Sequence, residues 1–579
     1  MVLPIASISL VSAQVTSRAS VSASGGQADA SSGIPSVSSD GDFLAFESSA
    51  STLVPGAGFR SDVFLKDRRN GAIEWISVNT SGGLSDDFSF DPCVSGDGRF
   101  VAFDSYSTDL VAGDLNGASD AFIRDRVAGT TLILSLSSAG VQGNNTSATP
   151  RLSADGRFAV FVSYANNLVP GDMNGLGDVF VRDRQDGLTE IVSISTGGSQ
   201  TNAQFTLNPA ISGDGRFVVF DSAASTLVSL DANMARDVFV RDRLAGVTSL
   251  VSVSSLGVQG EGMSEYPAVS ADGRFVAFDS FATNLVPGDV DGVRNVFLRD
   301  LMLNTTEMVS LASDGTAVAG ARASLSADGR YVTFVSGAAA VPGDQNGDVD
   351  LFVRDRVAGT TILASLDSSG VQGDDDSWPG VISADGRIVA FPSWATTLVP
   401  GDTNAAGDIF VRHLGTAISP FCLGDGSGTP CPCGNSGAPG RGCENSSSTG
   451  GAMLTATGTA SLASDSLVLT ASGERPTVLT IVLQGNDSAG PLLFGDGLRC
   501  AGGILKRLYA KVSVAGVVTV PQGGDLPVSA RSAALGDIIP AGASRFYQTW
   551  YRDSVAGFCP DPPGKNWNAS SGLAVVWDY

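Results

Sequence analysis

The stretch SADGRFVAF at residues 270–278 decides the fold of this chain, because close copies of it recur along the sequence. Each copy joins a Ser-x-Asp-Gly turn to a strand of alternating apolar residues. A motif that recurs at a regular period indicates a repeat architecture. The seven copies begin at Ser38, Ser95, Ser153, Ser212, Ser270, Ser326 and Ser383.

A second strand keeps step with the first, with sequences such as DVFVRD, and weaker strands complete each unit, for example at 130–138 and 149–153. Four antiparallel strands make one propeller blade. We therefore predict an all-β chain with a seven-bladed β-propeller over residues 15–415. The seventh unit stops after 409–415 without a fourth strand, whereas residues 15–24 form an unassigned strand, so we expect the N-terminal strand to close the last blade. The second signature begins at Asp62, Asp120, Asp178, Asp237, Asn295, Asp350 and Asp408.

The turn and its strand resemble the TolB-type propeller repeat, a WD-like family with a Ser-Pro-Asp-Gly turn. Here Ala, Gly or Ser replaces the Pro. The resemblance covers roughly residues 15–415 and implies a propeller fold. It leaves the function open, because propellers include enzymes, binding proteins and scaffolds.

Composition limits the function. The 579 residues carry a formal net charge of −24, which argues against nucleic acid as a partner because phosphate binding needs clustered Lys and Arg. No apolar run is long enough to span a membrane. Residues 1–14 are interpreted as a signal remnant, with a frayed N-terminal strand as the alternative.

A Cys- and Gly-rich segment at 416–448 precedes a region of alternating strands at 449–579, which we predict to be a disulfide-rich β-sandwich. Cysteines in such a set favour disulfides and a secreted protein. Zinc bound by Cys422, Cys431, Cys433 and Cys443 is the alternative, although their spacing lacks the paired C-x2-C motifs of a zinc ribbon. A bridge between Cys500 and Cys559 is one of the predicted pairings. The candidates are Cys422, Cys431, Cys433, Cys443, Cys500 and Cys559.

The C-terminal sequences FYQTWYRDSVAGFCP (546–560) and NWNASSGLAVVW (566–577) resemble a C-terminal module of large secreted proteins of planctomycete-type bacteria. The resemblance implies an extracellular protein. It assigns no activity to this region.

A motif Asp-x-Asn-Gly-x-x-Asp occupies the predicted loops between the second and third strands. Alternating oxygen ligands, a turn-forming Gly and a further carboxylate suit a hard cation, so the motif predicts structural Ca²⁺. Asx turns without metal are the alternative. The candidate ligands are Asp114, Asn116, Asp120, Asp172, Asn174, Asp178, Asp344, Asn346, Asp350, and, in a copy without the Gly, Asp402, Asn404 and Asp408.

No catalytic constellation stands out. The one His, His413, has no recognisable partner in the sequence, and the irregular residues of the predicted fourth-to-first-strand loops, such as Glu261, Glu265, Asp374–Asp376 and Trp378, form no recognisable acid pair. Because the longer loops share one face, we expect function there.

The sequence favours a secreted protein that is more a binding or scaffold protein than an enzyme, with a protein or polysaccharide ligand and an undetermined oligomeric state. The first alternative is an extracellular carboxylate-dependent hydrolase or lyase acting on polysaccharide. A cluster of acids with raised pKa in one deep pocket would favour that enzyme. The second alternative is a surface-layer component that self-associates.

Overall fold

The structure is a computed structural model that describes residues 15–203, 206–229, 231–414 and 418–577, the last range without 423, 426–430, 432–433, 439–440, 458–459, 461, 463–464, 495, 541–542 and 554–566. Residues 1–14, predicted as a signal remnant, lie outside the described residues, as do Cys433 and Cys559. Backbone contacts separate a compact unit at Val15–Leu414 from the region after it.

The first unit consists of short strands that recur with the sequence repeat. In chain order they are β1 (Thr16–Arg18), β2 (Ser32–Val37), β3 (Phe43–Ser48), β4 (Asp62–Asp67), β5 (Ile73–Trp75), β6 (Ser89–Val94), β7 (Phe100–Ser105), β8 (Asp120–Asp125), β9 (Thr130–Ile133), β10 (Ser147–Leu152), β11 (Phe158–Ser163), β12 (Asp178–Asp183), β13 (Leu188–Ile191), β14 (Thr206–Ile211), β15 (Phe217–Ser222), β16 (Asp237–Asp242), β17 (Val247–Leu250), β18 (Ser264–Val269), β19 (Phe275–Ser280), β20 (Asn295–Asp300), β21 (Thr305–Met308), β22 (Ala321–Leu325), β23 (Tyr331–Ser336), β24 (Asp350–Asp355), β25 (Thr360–Leu363), β26 (Val381–Ile382), β27 (Ile388–Ser393) and β28 (Asp408–His413).

These strands form four-stranded antiparallel sheets of the kind found in propeller blades, and the described residues contain seven of them. Within a sheet the strands pair in chain order, as in β2-β3-β4-β5. The first strands of neighbouring sheets contact one another, from β2 and β6 through to β26 and back to β2. The first strands therefore surround a common centre.

The N-terminal strand completes the last sheet, as the sequence predicted. Strand β1 pairs antiparallel with β28, with Thr16 opposite Arg412 and Arg18 opposite Phe410. The buried guanidinium of Arg412 donates to the Thr16 hydroxyl over 2.7 Å. The two ends of the repeat region are thereby joined in one sheet.

Seven backbone hydrogen bonds link the Ser-x-Asp-Gly turns into a closed cycle. In each turn the N–H of residue x donates to the carbonyl of residue x in the next turn, over 2.8 to 3.1 Å. Only small residues occupy this position. The cycle runs through Ser39, Gly96, Ala154, Gly213, Ala271, Ala327 and Ala384, whose N–H donates back to Ser39.

The turn residues have separate structural tasks. The Ser212 hydroxyl donates to Asp214 over 2.6 Å and accepts the N–H of Phe217 over 2.9 Å. Gly215 has φ +75°, and a Cβ there would overlap the ring of Phe158 in the preceding sheet. The Gly thus supplies both a left-handed backbone and room for the neighbouring sheet.

Ion pairs between sheets stabilise the same end of the unit. Arg126, in the turn after β8, contacts Glu74 of the preceding sheet at 2.6 Å, and Arg243 contacts Glu190 at 2.6 Å in the same way. The guanidinium of Arg126 also lies over the ring of Phe43. The repeated Arg-Asp-Arg sequence is therefore part of the packing between sheets.

The C-terminal region is also almost entirely β-structure. A six-stranded sheet has the order β29-β39-β37-β32-β35 with β38 beside β37, a three-stranded sheet has the order β30-β31-β36, and β33 pairs with β34. Side chains of the two larger sheets, among them Leu469, Val482 and Trp577, share one buried cluster. The elements are β29 (Ile418–Phe421), β30 (Met453–Thr457), β31 (Val468–Ser472), β32 (Leu479–Gly485), β33 (Asp487–Phe494), β34 (Gly497–Gly502), β35 (Lys506–Val512), β36 (Val517–Val520), α1 (Val528–Ala534), β37 (Ser544–Arg552), β38 (Trp567–Ala569) and β39 (Gly572–Val576).

Candidate functional site

A cavity of about 1190 Å³ lies at the centre of the repeat unit. Residues along the inner strands line it, such as Ser32 and Ser36 in β2, together with the last residues of the second strands and residues of the longer loops, such as Ser336 and Trp394. Within the described chain, no residue of the Ser-x-Asp-Gly turns is among the lining residues. The cavity therefore extends along the inner strands to the long-loop end of the unit.

Each of six inner strands carries a β-bulge where it borders the cavity. The bulge places a non-glycine residue at positive φ, a conformation that costs about 1–2 kcal/mol per residue. Five of these residues also precede Pro. Strained residues collected around one cavity are typical of functional sites. They are Ile34, Asp91, Thr149, Asn208, Tyr266 and Arg322.

Buried acids hold several of these bulges. The carboxylate of Asp104 accepts the N–H of Thr149 over 3.2 Å, and that of Asp279 accepts the N–H of Arg322 over 2.9 Å. Burial raises the pKa of each acid to about 7. Glu47 occupies the equivalent position in β3, and burial followed by the charge of Asp91 raises its pKa to about 7. Three buried carboxyl groups with pKa values raised to about 7 thus lie behind the inner strands that line the cavity.

Arginines surround the cavity on the side of the fourth to sixth sheets. Glu265 contacts Arg236 at 2.9 Å and also pairs with Arg294. Arg322 stacks on the ring of Tyr266, with 3.4 Å between the guanidinium carbon and the ring centroid. In the sequence Glu265 stands out only as an irregular residue of a predicted loop, whereas in the structure it lies in β18 and takes part in this cluster.

The exposed aromatic residues of the described chain all lie at the long-loop end. Trp378 and Trp394 are each 45% exposed and line the cavity directly. An aromatic side chain left in water at the mouth of a pocket is available to a ligand. The full set is Phe59, Phe88, Tyr106, Tyr164, Phe281, Trp378 and Trp394.

The predicted calcium loops bring their oxygen atoms together, but a glutamine lies between them. In the second repeat the amide nitrogen of Gln142 donates to Asp114 over 2.7 Å and to Asp120 over 2.8 Å. Its amide oxygen accepts the backbone N–H of Leu115 over 3.1 Å, which fixes the orientation of the amide. Asn116 also donates to Asp120, over 2.7 Å.

The same arrangement recurs wherever the paired acids are present. In the third repeat Gln200 donates only to Asp172, while Asn174 donates to Asp178. In the other copies the glutamine amide bridges both acids. The bridged pairs are Asp231 and Asp237 with Gln259, Asp344 and Asp350 with Gln372, and Asp402 and Asp408 with Gln27.

In the two repeats without the paired acids, Leu84 and Ala317 replace the glutamine. Asn346 and Asn404, the remaining candidate ligands, donate to the backbone carbonyls of Gly373 and Ala28. Burial raises the pKa of Asp114 and Asp120. Calcium binding at these loops stays a prediction, and an ion would have to displace the glutamine amide.

Among the described residues, two disulfides join cysteines of the C-terminal region, with Cα–Cα distances of 5.8 Å each. Cys431 pairs with Cys443, and Cys422 pairs with Cys500. The predicted bridge between Cys500 and Cys559 is therefore wrong, because β34 and the segment after β29 bring Cys500 to Cys422. These pairs use three of the four cysteines considered as zinc ligands.

The chain is similar to solved β-propeller structures at low sequence identity. No family profile and no curated protein sequence matches it. Solved structures similar to it include TolB from Acinetobacter baumannii (TM-score 0.31, 13% identity, 51% of this chain and 59% of that chain) and the propeller domain of the trilobed protease from Pyrococcus furiosus (TM-score 0.42, 12% identity, 66% and 95%). A third is hydrazine synthase from Kuenenia stuttgartiensis (TM-score 0.34, 13% identity, 66% and 96%).

Proposed function

We propose that this protein is an extracellular binding protein that takes a polysaccharide chain into the central cavity of a seven-bladed propeller. The observation that carries the proposal is the placement of every exposed aromatic residue of the described chain at the long-loop end, with Trp378 and Trp394 at the cavity itself. Sugar rings present apolar C–H faces that pack on aromatic rings, and their hydroxyls bond to fixed polar groups. The cavity wall offers both aromatic rings and fixed polar groups.

The remaining features of the proposal concern architecture and location. The two larger C-terminal sheets are proposed to form a β-sandwich of the secreted planctomycete type. Disulfides support an oxidising compartment. No helix among the described residues is long and apolar enough to cross a membrane.

Titration of full-length protein against soluble polysaccharides, after a screen on a printed array, tests the proposal. We expect Trp378→Ala and Trp394→Ala each to weaken binding at least tenfold, because each removes an exposed ring from the cavity. Phe59→Ala is the matched control, since Phe59 is 75% exposed at the same end but does not line the cavity. Absence of any binding, or equal loss in the control, would contradict the proposal.

The raised pKa values of buried acids next to the cavity-lining strands favour one second candidate, a carboxylate-dependent hydrolase or lyase. Burial and then the charge of Asp91 raise the pKa of both Glu47 and Asp104 to about 7, a value suited to proton transfer at neutral pH. Release of shorter or unsaturated oligosaccharides from a bound polymer, abolished by Glu47→Gln or Asp104→Asn, would establish the enzyme. Binding without any change in polymer length would exclude it for that polymer.

A further inference from the structure

Arg322 differs from the other bulge residues of the cavity. It lies in β22 at φ +61°, its side chain is exposed, and it lines the cavity. Its own sheet has Ala323 where five others have Pro, so the positive φ is not associated with a following Pro here. A cationic side chain is therefore held at a strained backbone position beside the proposed ligand.

The ion pairs around the cavity leave Arg322 without a carboxylate. Glu265 pairs with both Arg236 and Arg294, and these two arginines approach Asp221 and Asp279 at 3.6 and 3.9 Å. Within the described part of the chain, the guanidinium of Arg322 makes no hydrogen bond and has no carboxylate within 4.0 Å. Asp279 accepts the backbone N–H of Arg322 instead, and the charge of the guanidinium acts on Asp279 and Asp221 without direct contact, opposing the rise of their pKa.

Stacking fixes the Arg322 side chain while leaving its donors free. The guanidinium lies 3.4 Å from the centroid of Tyr266, so the ring covers one face of its plane. Hydrogen bonds from a guanidinium are made at its edge. Because the ring limits the motion of the side chain before any ligand arrives, less conformational entropy is lost on binding.

This chemistry selects an anion with paired oxygen atoms. A guanidinium edge matches a carboxylate through two parallel hydrogen bonds, which a hydroxyl group cannot reproduce. The net charge of −24 repels anions at long range, so any preference for them must arise at the cavity itself. We infer that the polysaccharide bound in the cavity carries carboxylates, as in a chain of uronic acid residues, and that Arg322 is the residue that recognises them.

The inference rests on the proposed function and deepens it. The probes are oligomers of galacturonate, alginate and hyaluronan, each titrated against full-length protein beside its carboxyl-methylated form. Wild-type protein is expected to bind at least one acid form ten or more times more tightly than its ester. Arg322→Gln should reduce that ratio to below twofold while leaving affinity for the ester unchanged, and Arg322→Lys should retain part of it.

Arg216→Gln provides the matched control. Arg216 pairs with Asp242 at 2.7 Å at the opposite end of the sheets, so the variant makes the same change in net charge far from the cavity. Equal binding of acid and ester by wild type, or an equal effect of the control, would overturn the inference. Dextran sulfate distinguishes a sulfate from a carboxylate as the recognised anion. Tighter binding of dextran sulfate than of every uronate would show that the site recognises sulfate instead.

The two proposals fail in different ways. Neutral polysaccharide binding that Trp394→Ala weakens, with no preference for acid forms, would leave the binding function intact and overturn only the role of Arg322. Absence of binding by every neutral and acidic polymer would overturn both. A melting temperature of Arg322→Gln within 2 °C of wild type, expected from its exposed side chain, shows that the variant is folded.

Discussion

The two ends of the repeat unit differ in how closely the repeats resemble one another. At the Ser-x-Asp-Gly end every repeat has the same turn, a Gly at φ +66° to +78° and the same backbone link to the next turn. At the long-loop end the bulge residue changes from one repeat to the next, through aliphatic, acidic, aromatic and basic side chains. Repetition at one end holds the sheets together, and variation at the other builds a single asymmetric cavity.

The acids of the two ends also differ in their electrostatics. Hydrogen bonds from Arg99 hold the pKa of Asp125 below its usual value, and Arg216 does the same for Asp242. Burial raises the pKa of Asp104 and Asp279 at the cavity to about 7. Carboxylates at the regular end therefore stabilise the fold, whereas those at the cavity are ionised at a cost.

The largest expected effect comes from the regular end. Gly215→Ala should lower the free energy of unfolding by about 3–5 kcal/mol, because it adds the strain of a left-handed residue to an overlap with Phe158. Gly257→Ala is the control, since Gly257 has φ +77° but open space around it, and should cost about 1–2 kcal/mol. Denaturant titration measures both. Equal losses of unfolding free energy in the two variants would mean that backbone strain, and not contact between sheets, explains why Gly recurs in every turn of this chain.

The next largest effect is on the pH dependence of stability, which we expect to have opposite signs at the two ends of the repeat unit. The folded-state pKa of Asp104 is raised, so its contribution to stability is complete below about pH 4 and is lost as the pH rises towards 7. Asp104→Asn should therefore be more stable than wild type at pH 8, by on the order of 2 kcal/mol, and not at pH 4. Thermal melts at both pH values measure the difference.

Asp242→Asn should behave in the opposite way. Its pKa is lowered in the folded state by Arg216, so its stabilisation is present at neutral pH and is lost as the pH falls through the lowered value. The pair is partly exposed, so we expect a loss of less than about 1 kcal/mol at pH 7. If both variants showed the same sign at pH 8, the electrostatic contrast between the ends would be wrong.

A smaller effect should follow when strain at the cavity is removed. Ile34→Gly relieves a β-branched residue at φ +43°, and this gain, offset by the greater chain entropy of Gly, should raise stability by about 0.5–1 kcal/mol. Val37→Gly, in the same strand but without positive φ, should lower it. A denaturant midpoint for Ile34→Gly below that of Val37→Gly would show that the bulge residue is there for stability.

The sequence predicted the regular end far better than the cavity. The Ser-x-Asp-Gly turn and the closing role of residues 15–24 could be inferred because each is a local pattern repeated at a fixed period. The cavity depends on residues such as Asp91 and Arg322, which are far apart in the chain and differ from each other. One signal was available, since Pro follows the bulge position in five of the seven repeats. That this Pro follows a bulge at the cavity could not be predicted, because the bulge becomes apparent only from the register between the inner strands and their neighbours.

The smallest expected effect concerns the Asp-x-Asn loops, a regular feature of the variable end. Because the oxygen of Gln142 is held by the N–H of Leu115, its amide nitrogen faces Asp114 and Asp120 and closes the loop without a metal. The calcium predicted from the sequence would have to displace that amide, so we expect it to shift the melting temperature of chelated wild type by less than about 1 °C, an effect of a few tenths of a kcal/mol.

Gln142→Glu turns the same geometry into a test of calcium binding. The variant places a third carboxylate beside Asp114 and Asp120, and the mutual repulsion of three acids favours a bound cation. Calcium should stabilise this variant more than wild type, whereas a Leu84→Glu variant, in a repeat without the acid pair, should respond no more than wild type does. A large shift of the melting temperature in wild type would mean that calcium displaces the glutamine amide. The Asp-x-Asn loops of the long-loop end would then be held by a metal ion, whereas the cavity is built from residues that differ between repeats.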